Sequence, residues 1–254
     1  MPLNQSFSWW CFAGRGVDDV DLLKAAKQIG YKAVELLPND KLHLALEADL
    51  VIASHPGHRL QLEGLNDTAC HDEIEDTIMK NMELAKEFKI PTLIVFSGER
   101  RPGHSDEEGI ENSAIGLKRV AKAAEDAGIN LIIELLNSKV DHHGYQCDRT
   151  SWGVAVCDIV DSPRVKLLYD IYHMQIMEGD IIRTIRDYHT YFAHYHTAGN
   201  PGRRDMDETQ EMYYPPIAKA VSDTGYTGYF GHEFIPKGDV IEALEAAYKL
   251  CDVP

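Results

Sequence analysis

Two kinds of segment alternate along the whole chain, distinguished by where their apolar residues fall. Segments of the first kind are short apolar runs rich in β-prone residues, as at residues 6–12, 33–38, 49–55 and 92–97, with four more in the second half. In the second kind the apolar residues recur every three or four positions, as Ile74, Ile78 and Met82 do, which is typical of an amphipathic helix. The pattern predicts eight strand–helix units in succession.

Eight such units predict a fold of the α/β class, a single (β/α)8 TIM barrel that spans residues 1–254. Strands that alternate with helices form parallel sheets through right-handed crossovers. A barrel of this type needs about 250 residues, and no shift in composition marks a linker. An open doubly wound sheet is the alternative. Such a sheet usually has a glycine-rich turn after its first strand, and FAGRGVDD (12–19) matches that turn only with the wrong spacing.

Composition and charge narrow the choice of partners. The chain has 25 Lys and Arg residues against 41 Asp and Glu residues, a formal net charge of -16. Such a surface repels nucleic acid and anionic lipid. No apolar run approaches the roughly 20 residues of a membrane helix, and no signal peptide is visible. The five cysteines contain no CxxC pair, which favours reduced thiols. We therefore expect a cytoplasmic protein without nucleic-acid or membrane partners; its oligomeric state, a homo-oligomer included, stays open.

Four strands in the second half each end in a residue that can bind a metal. They are Glu134 in NLIIELLN, Asp170 in VKLLYDIYH, His196 in YFAHYHTA and Glu233 in GYFGHEFIP. In a barrel the carboxyl ends of the strands meet at one mouth. Three acids there would repel one another unless a cation lay among them. The pattern predicts one divalent metal ion, with Mn2+, Mg2+ or Co2+ suited to the donors and Zn2+ also able to bind.

Other residues near the same strand ends are candidate substrate ligands. His173, three residues after Asp170, is expected to donate to a substrate hydroxyl. Arg203 follows a Pro-Gly turn and is expected to bind a carboxylate or phosphate of the substrate. The loop that contains it, residues 199–215, is long and is expected to act as a lid. His55 and Ser97 end the third and fourth strands and are expected beside the site. His142 and His143 are expected to be exposed. The alternative for each is an ordinary loop or core residue.

Four segments resemble a known family: IIELLNSKVDHHGYQCD (132–148), KLLYDIYHMQIMEGD (166–180), HYHTAGNPGR (194–203) and GYFGHEFIPKGD (228–239). The chain resembles the xylose-isomerase-like TIM-barrel superfamily over essentially its whole length, and within it the hydroxypyruvate isomerase family. This resemblance implies metal ligands at the same four positions. It also implies proton transfer by Glu134 and Glu233 and substrate contact by His173.

The resemblance implies a metal-dependent isomerase that moves a proton of a small hydroxy-carbonyl substrate, a sugar or a hydroxy-keto acid, through an enediolate. Two departures leave the substrate open. His196 stands where hydroxypyruvate isomerases commonly have Gln, and Leu135 where they commonly have Pro. A sugar epimerase is the first alternative, followed by a lyase, a hydrolase and a non-catalytic sugar-binding protein. The DNA-repair hydrolases of this fold need a basic groove and more histidine ligands, and the charge of -16 argues against them.

Overall fold

A computed structural model of the protein describes residues 2–59 and 64–253. Strands and short helices alternate within them as the sequence predicts. The strands are β1 (Asn4–Ser8), β2 (Ala33–Glu35), β3 (Val51–Ile52), β4 (His55–Pro56), β5 (Thr92–Val95), β6 (Asn130–Glu134), β7 (Val165–Asp170), β8 (Phe192–Thr197) and β9 (Tyr229–His232). The helices are α1 (Trp9–Phe12), α2 (Asp19–Ile29), α3 (Leu42–Glu47), α4 (His71–Phe88), α5 (Asp106–Ala127), α6 (Thr150–Val160), α7 (Ile171–Met177), α8 (Ile181–Tyr188), α9 (Tyr214–Asp223) and α10 (Val240–Cys251).

The chain forms two compact units. The first, called unit 1 here, consists of residues 2–54, 180–189 and 194–253. Its strands are parallel neighbours in the order β3, β2, β1, β9 and the part of β8 from His194 onward. Helix α2 packs against α10, and α8 packs against α9. Asp18 caps α2 by accepting from the amide of Val20, and Gly30 ends that helix with φ +127°, a backbone conformation that other residues rarely adopt.

Unit 2 consists of residues 55–59, 64–179 and 190–193. Its strands are parallel in the order β4, β5, β6, β7. Every residue of β5 is buried, as expected of a parallel strand that is covered on both faces. Helix α5 packs against α4 and α6. It begins with a capping box between Ser105 and Glu108 and ends at Gly128.

The structure differs from the predicted pattern in three places. The first predicted strand, 6–12, ends at Ser8 and continues as α1, which buries Trp9, Cys11 and Phe12. The run 49–55 forms two strands of two residues each, β3 and β4, instead of one. Helix α7 begins directly after Asp170, where the sequence analysis gave no helix. The first difference arises because an apolar run does not by itself distinguish a short helix from a strand.

None of the helices in the described ranges is long and apolar enough to span a lipid bilayer. The extension of one domain over residues 1–254 stays a prediction.

Candidate metal centre

His196 and Glu233 lie at the same end of two neighbouring strands in unit 1. Strand β8 pairs with β9 so that His196 lies opposite Gly231, and Glu233 directly follows the last residue of β9. The backbone amide of Glu233 donates to the carbonyl of Thr197 at 2.9 Å. Nδ1 of His196 lies 2.7 Å from Oε2 of Glu233, and both side chains are buried. Strand pairing thus brings two of the predicted ligands into contact.

Two further side chains hold the Glu233 carboxylate. The indole Nε1 of Trp10 donates to its Oε1 at 2.7 Å, and Nη2 of Arg203 donates to its Oε2. Burial alone would raise the pKa of Glu233, but the charges of His196 and Arg203 lower that pKa well below its ordinary value. The carboxylate is therefore kept ionised, as a metal ligand or a general base requires.

Arg203 lies closer to the predicted metal ligands than the sequence indicated. Besides its contact with the Glu233 carboxylate, its Nε donates to the Glu233 carbonyl at 3.1 Å, and its own carbonyl accepts from the amide of Ile235 at 2.8 Å. Its guanidinium lies 6.0 Å from the centre of the Trp10 ring, within the range of a cation–π contact. The roles of Arg203 as an anion ligand and of residues 199–215 as a lid stay predictions.

A carboxylate that the sequence analysis did not select, Glu35, lies beside His196 in unit 1. It is the last residue of β2 and is fully buried. Its Oε2 lies 2.7 Å from Nε2 of His194 and 3.2 Å from Nε2 of His196. Burial alone would raise the pKa of Glu35, but the two imidazoles lower it well below the ordinary value. The signal was present in the sequence, because Glu35 stands in the apolar run AVELL as Glu134 stands in LIIELL.

Glu134 and Asp170 form the second pair of predicted ligands, in unit 2. Each is the last residue of its strand. Strands β6 and β7 are paired, and Glu134 lies opposite Leu168. One ligand atom of Glu134 and one of Asp170 lie within 4.8 Å of each other, and both side chains are buried. Oδ1 of Asp170 also accepts from the amide of His173 at 3.2 Å, which caps α7. The hydroxyl of Tyr145 donates to the Glu134 carbonyl at 2.9 Å.

His173 lies in the first turn of α7 and is fully buried. Its Nδ1 lies 2.6 Å from Nδ2 of Asn137. Oδ1 of Asn137 accepts from the amides of Val140 and Asp141 at 2.9 Å each, so its NH2 group must face the histidine. Nδ1 is therefore the acceptor, and the ring hydrogen is on Nε2, 3.6 Å from Oδ2 of Asp170. Asn137 is a site residue that the sequence analysis missed, since its role depends on the shape of a loop.

The remaining candidates lie in unit 2. His55 is buried in β4, and burial lowers its pKa to about 4, so its imidazole is neutral near pH 7. The Ser97 hydroxyl donates to the Gly98 carbonyl and accepts from the Cys147 amide, both at 3.0 Å, which is a structural role. His143 is exposed as predicted, but His142 is half-buried and packs against the ring of His173. The prediction for His142 was therefore wrong.

Solved structures with a similar chain trace show the fold. The AP endonuclease, family 2, of Brucella melitensis is 24% identical, with a TM-score of 0.84 over 96% of this chain and 97% of that one. The D-psicose 3-epimerase of Clostridium cellulolyticum H10 is 16% identical, with a TM-score of 0.80 over 98% of each chain.

Curated relatives are similar over most of their own length. The human protein named "Putative hydroxypyruvate isomerase" is 27% identical over 242 residues, covering 87% of this chain and 86% of that protein. The 2-oxo-tetronate isomerase of Pectobacterium atrosepticum is 27% identical over 238 residues, covering 89% of each. Both bear the names of isomerases. These matches confirm the resemblance to hydroxypyruvate isomerases and the prediction of an isomerase.

A family model completes the comparison. Residues 23–250 match the model of the xylose isomerase-like TIM barrel. The match confirms the predicted α/β class and (β/α)8 barrel, and the curated relatives indicate an isomerase. Because the matched range covers most of its length, the chain belongs to the xylose isomerase-like TIM barrel family.

Proposed function

We propose that the protein is a metal-dependent isomerase, similar to hydroxypyruvate isomerases, in which Glu134, Asp170, His196 and Glu233 hold one divalent ion. The observation that carries this proposal is the pair of buried ligands at the ends of neighbouring strands in each unit. In a TIM barrel the carboxyl ends of all strands surround one mouth, so membership of the family supports joining the two pairs. Three carboxylates and one imidazole fit Mn2+ or Mg2+ best, with Co2+ or Zn2+ as alternatives.

When bound, the ion would supply Lewis-acid polarisation of a substrate carbonyl and its neighbouring hydroxyl. The side chains of the protein would carry the proton. One glutamate removes the hydrogen from the hydroxyl-bearing carbon beside the carbonyl, which leaves an enediolate, and the other returns a proton to carbon. When the former carbonyl carbon receives it, the proton of the original hydroxyl passes to the other oxygen. Return to the neighbouring carbon gives isomerisation, and return to the opposite face gives epimerisation. Trp10 and Arg203 restrict the position of the Glu233 carboxylate, which is the condition for an effective general base.

His173 would bind a substrate hydroxyl. The contact with Asn137 places the ring hydrogen on Nε2, the nitrogen 3.6 Å from Oδ2 of Asp170, and this N–H would be the donor to the substrate. A neutral imidazole with one defined donor orients a hydroxyl without adding charge beside the metal ligands. His55 would contribute a second neutral imidazole to the substrate site.

The decisive test is hydrogen exchange. The Mn2+-loaded protein is incubated in D2O with a panel of small hydroxy-keto acids, hydroxy-aldehydes and sugars, and NMR reports which C–H positions exchange. Exchange with conversion of a hydroxy-keto acid to its isomer supports the proposal. Exchange with inversion at one carbon identifies an epimerase. Absence of exchange in the whole panel, with metal bound, would refute proton transfer as the chemistry.

Arg203 is proposed to bind the carboxylate of an acid substrate. Arg203→Ala is expected to raise KM at least tenfold for a hydroxy-keto acid and less than threefold for a neutral sugar, because an ionic hydrogen bond is lost only with the acid. Steady-state kinetics on both substrates measure the difference. Arg204→Ala, which removes an exposed arginine from the same loop, is the control. Equal increases for both substrates would contradict the assignment and leave Arg203 as a support for Glu233.

A further inference from the structure

The carboxylate of Glu35 is surrounded by hydrogen-bond donors from unit 1. Its Oε1 accepts from the hydroxyl of Ser6 at 2.8 Å, and its Oε2 accepts from the hydroxyl of Ser54 at 2.7 Å. His194 and His196 each place Nε2 near the same Oε2. All five side chains are fully buried. A buried carboxylate persists only with such partners, because an unpaired one costs several kcal/mol of folding free energy.

The backbone of β9 leaves the space that this arrangement needs. Gly231 lies opposite His196 in the pairing of β8 with β9. A Cβ atom at this position would lie 2.2 Å from Oε1 of Glu35 and 3.0 Å from Cδ2 of His196. Any side chain there would displace the carboxylate or the ring. The approach of Glu35 to His196 therefore depends on the backbones of three strands, β2, β8 and β9, and not on one flexible side chain.

The two nitrogens of His196 face different partners. Nε2 lies 3.2 Å from the Glu35 carboxylate, and Nδ1 lies 2.7 Å from the Glu233 carboxylate. An ionised carboxylate only accepts hydrogen bonds, so Glu35 favours the ring form that carries hydrogen on Nε2. Glu233 is also ionised and lies 2.7 Å from Nδ1, so it accepts a hydrogen from that nitrogen, and Nδ1 would present its lone pair only when a cation takes the place of that hydrogen. A carboxylate that binds the far nitrogen of a metal-bound histidine fixes the tautomer and the ring orientation.

We propose that Glu35 is a positioning residue for the metal, because it holds His196 through Nε2 and so presents Nδ1 to the ion. This inference rests on the metal site of the proposed function. An alternative is a second ion held directly by Glu35, His194 and His196, whose ligand atoms lie within 4.8 Å of one another. The serine hydroxyls on both carboxylate oxygens argue against it, since they occupy positions that an ion would need.

The first experiment measures Mn2+ affinity. Free Mn2+ is titrated against the wild-type protein, Glu35→Gln and Thr197→Val, with detection by electron paramagnetic resonance. We expect the Kd of Glu35→Gln to rise tenfold or more, while Thr197→Val stays within threefold of wild type. Thr197→Val is the matched control, since it removes a buried hydroxyl, 2.7 Å from Nδ1 of His232, next to His196 in the chain. An unchanged Kd in folded Glu35→Gln overturns the proposal, as does binding of two ions by the wild-type protein.

A second measurement needs no variant and serves if Glu35→Gln does not fold. The wild-type protein is labelled with 15N at histidine and loaded with Zn2+, and NMR identifies the metal-bound nitrogen of His196. Metal on Nδ1 with hydrogen on Nε2 supports the proposal, and metal on Nε2 overturns it. A wild-type protein that binds neither ion would refute the metal site itself and this inference with it. Metal binding that is insensitive to Glu35 would refute only the inference.

Discussion

Replacing either proposed proton-transfer glutamate by glutamine is expected to lower kcat by about 100-fold or more while the metal stays bound. Glutamine keeps the length of the side chain and one coordinating oxygen, but it cannot accept a proton at neutral pH. In Glu233→Gln the Trp10 indole retains an oxygen acceptor. Replacement by alanine would confound loss of the base with loss of a ligand. Metal content is measured by atomic absorption, turnover by steady-state kinetics, and C–H exchange by NMR in D2O.

Glu245→Gln is the matched control, because this glutamate lies on the surface of α10, where it pairs with Lys249, and should leave kcat unchanged. Parallel loss of turnover and of exchange in Glu134→Gln and in Glu233→Gln supports two proton-transfer groups. A variant that keeps both its metal and near-normal turnover would show that its glutamate is a ligand only. The two-base mechanism would then have to be abandoned.

A second large effect is expected on stability at acid pH. Burial lowers the pKa of His55 and His58 to about 4 and that of His232 to about 3. In the unfolded chain these groups take up protons near pH 6.5, the ordinary value. The unfolded state therefore binds more protons as the pH falls below 6.5, and the free energy of unfolding decreases. Each group contributes about 1.4 kcal/mol per pH unit, so the three together amount to about 4 kcal/mol per pH unit.

Urea midpoints followed by circular dichroism at several pH values between 7 and 4.5 would measure this loss. Titration of the buried carboxylates Glu35 and Glu233 does not obscure this loss of stability. The pKa values of Glu35 and Glu233 are lowered, so their contribution to stability is present above about pH 4.5 and is lost only below it. A free energy of unfolding that stays constant from pH 6.5 to pH 4.5 would contradict the prediction. His232→Asn should reduce the slope of the free energy of unfolding against pH by about 1.4 kcal/mol per pH unit, the contribution of one group.

The elements that the sequence predicted best are those with local signals. The ends of α2 and α5 follow from capping residues within one turn, Asp18 with Gly30 and Ser105 with Gly128. The predicted ligand pairs could be selected because each residue lies at the end of a buried strand, within one position of its last residue. Glu35 also ends a buried strand, and His194 lies two residues before His196 on the same face of β8. Both residues were overlooked although these signals were present in the sequence.

Other features of the site had no signal in the sequence. The contact between Asn137 and His173 depends on how the loop after β6 turns back on itself. The attachment of Arg203 to Glu233 joins residues 30 positions apart through a loop whose shape no periodicity encodes. Helix α1 was missed because four aromatic and apolar residues suit a buried strand and a buried helical turn equally.

The attachment of Arg203 has a consequence for how the protein can diversify. The loop is fastened at its beginning, by the bridge between Gly199 and Arg204 and by the contacts of Arg203 with Glu233 and Ile235. Changes of length or sequence beyond these anchors need not move Glu233, the proposed proton-transfer residue. Under the predicted lid role, substitutions in the outer part of the loop would therefore change the size and polarity of the accepted substrate while the proposed reaction is preserved. This separation offers a physical reason why one barrel supports isomerases and epimerases of many substrates.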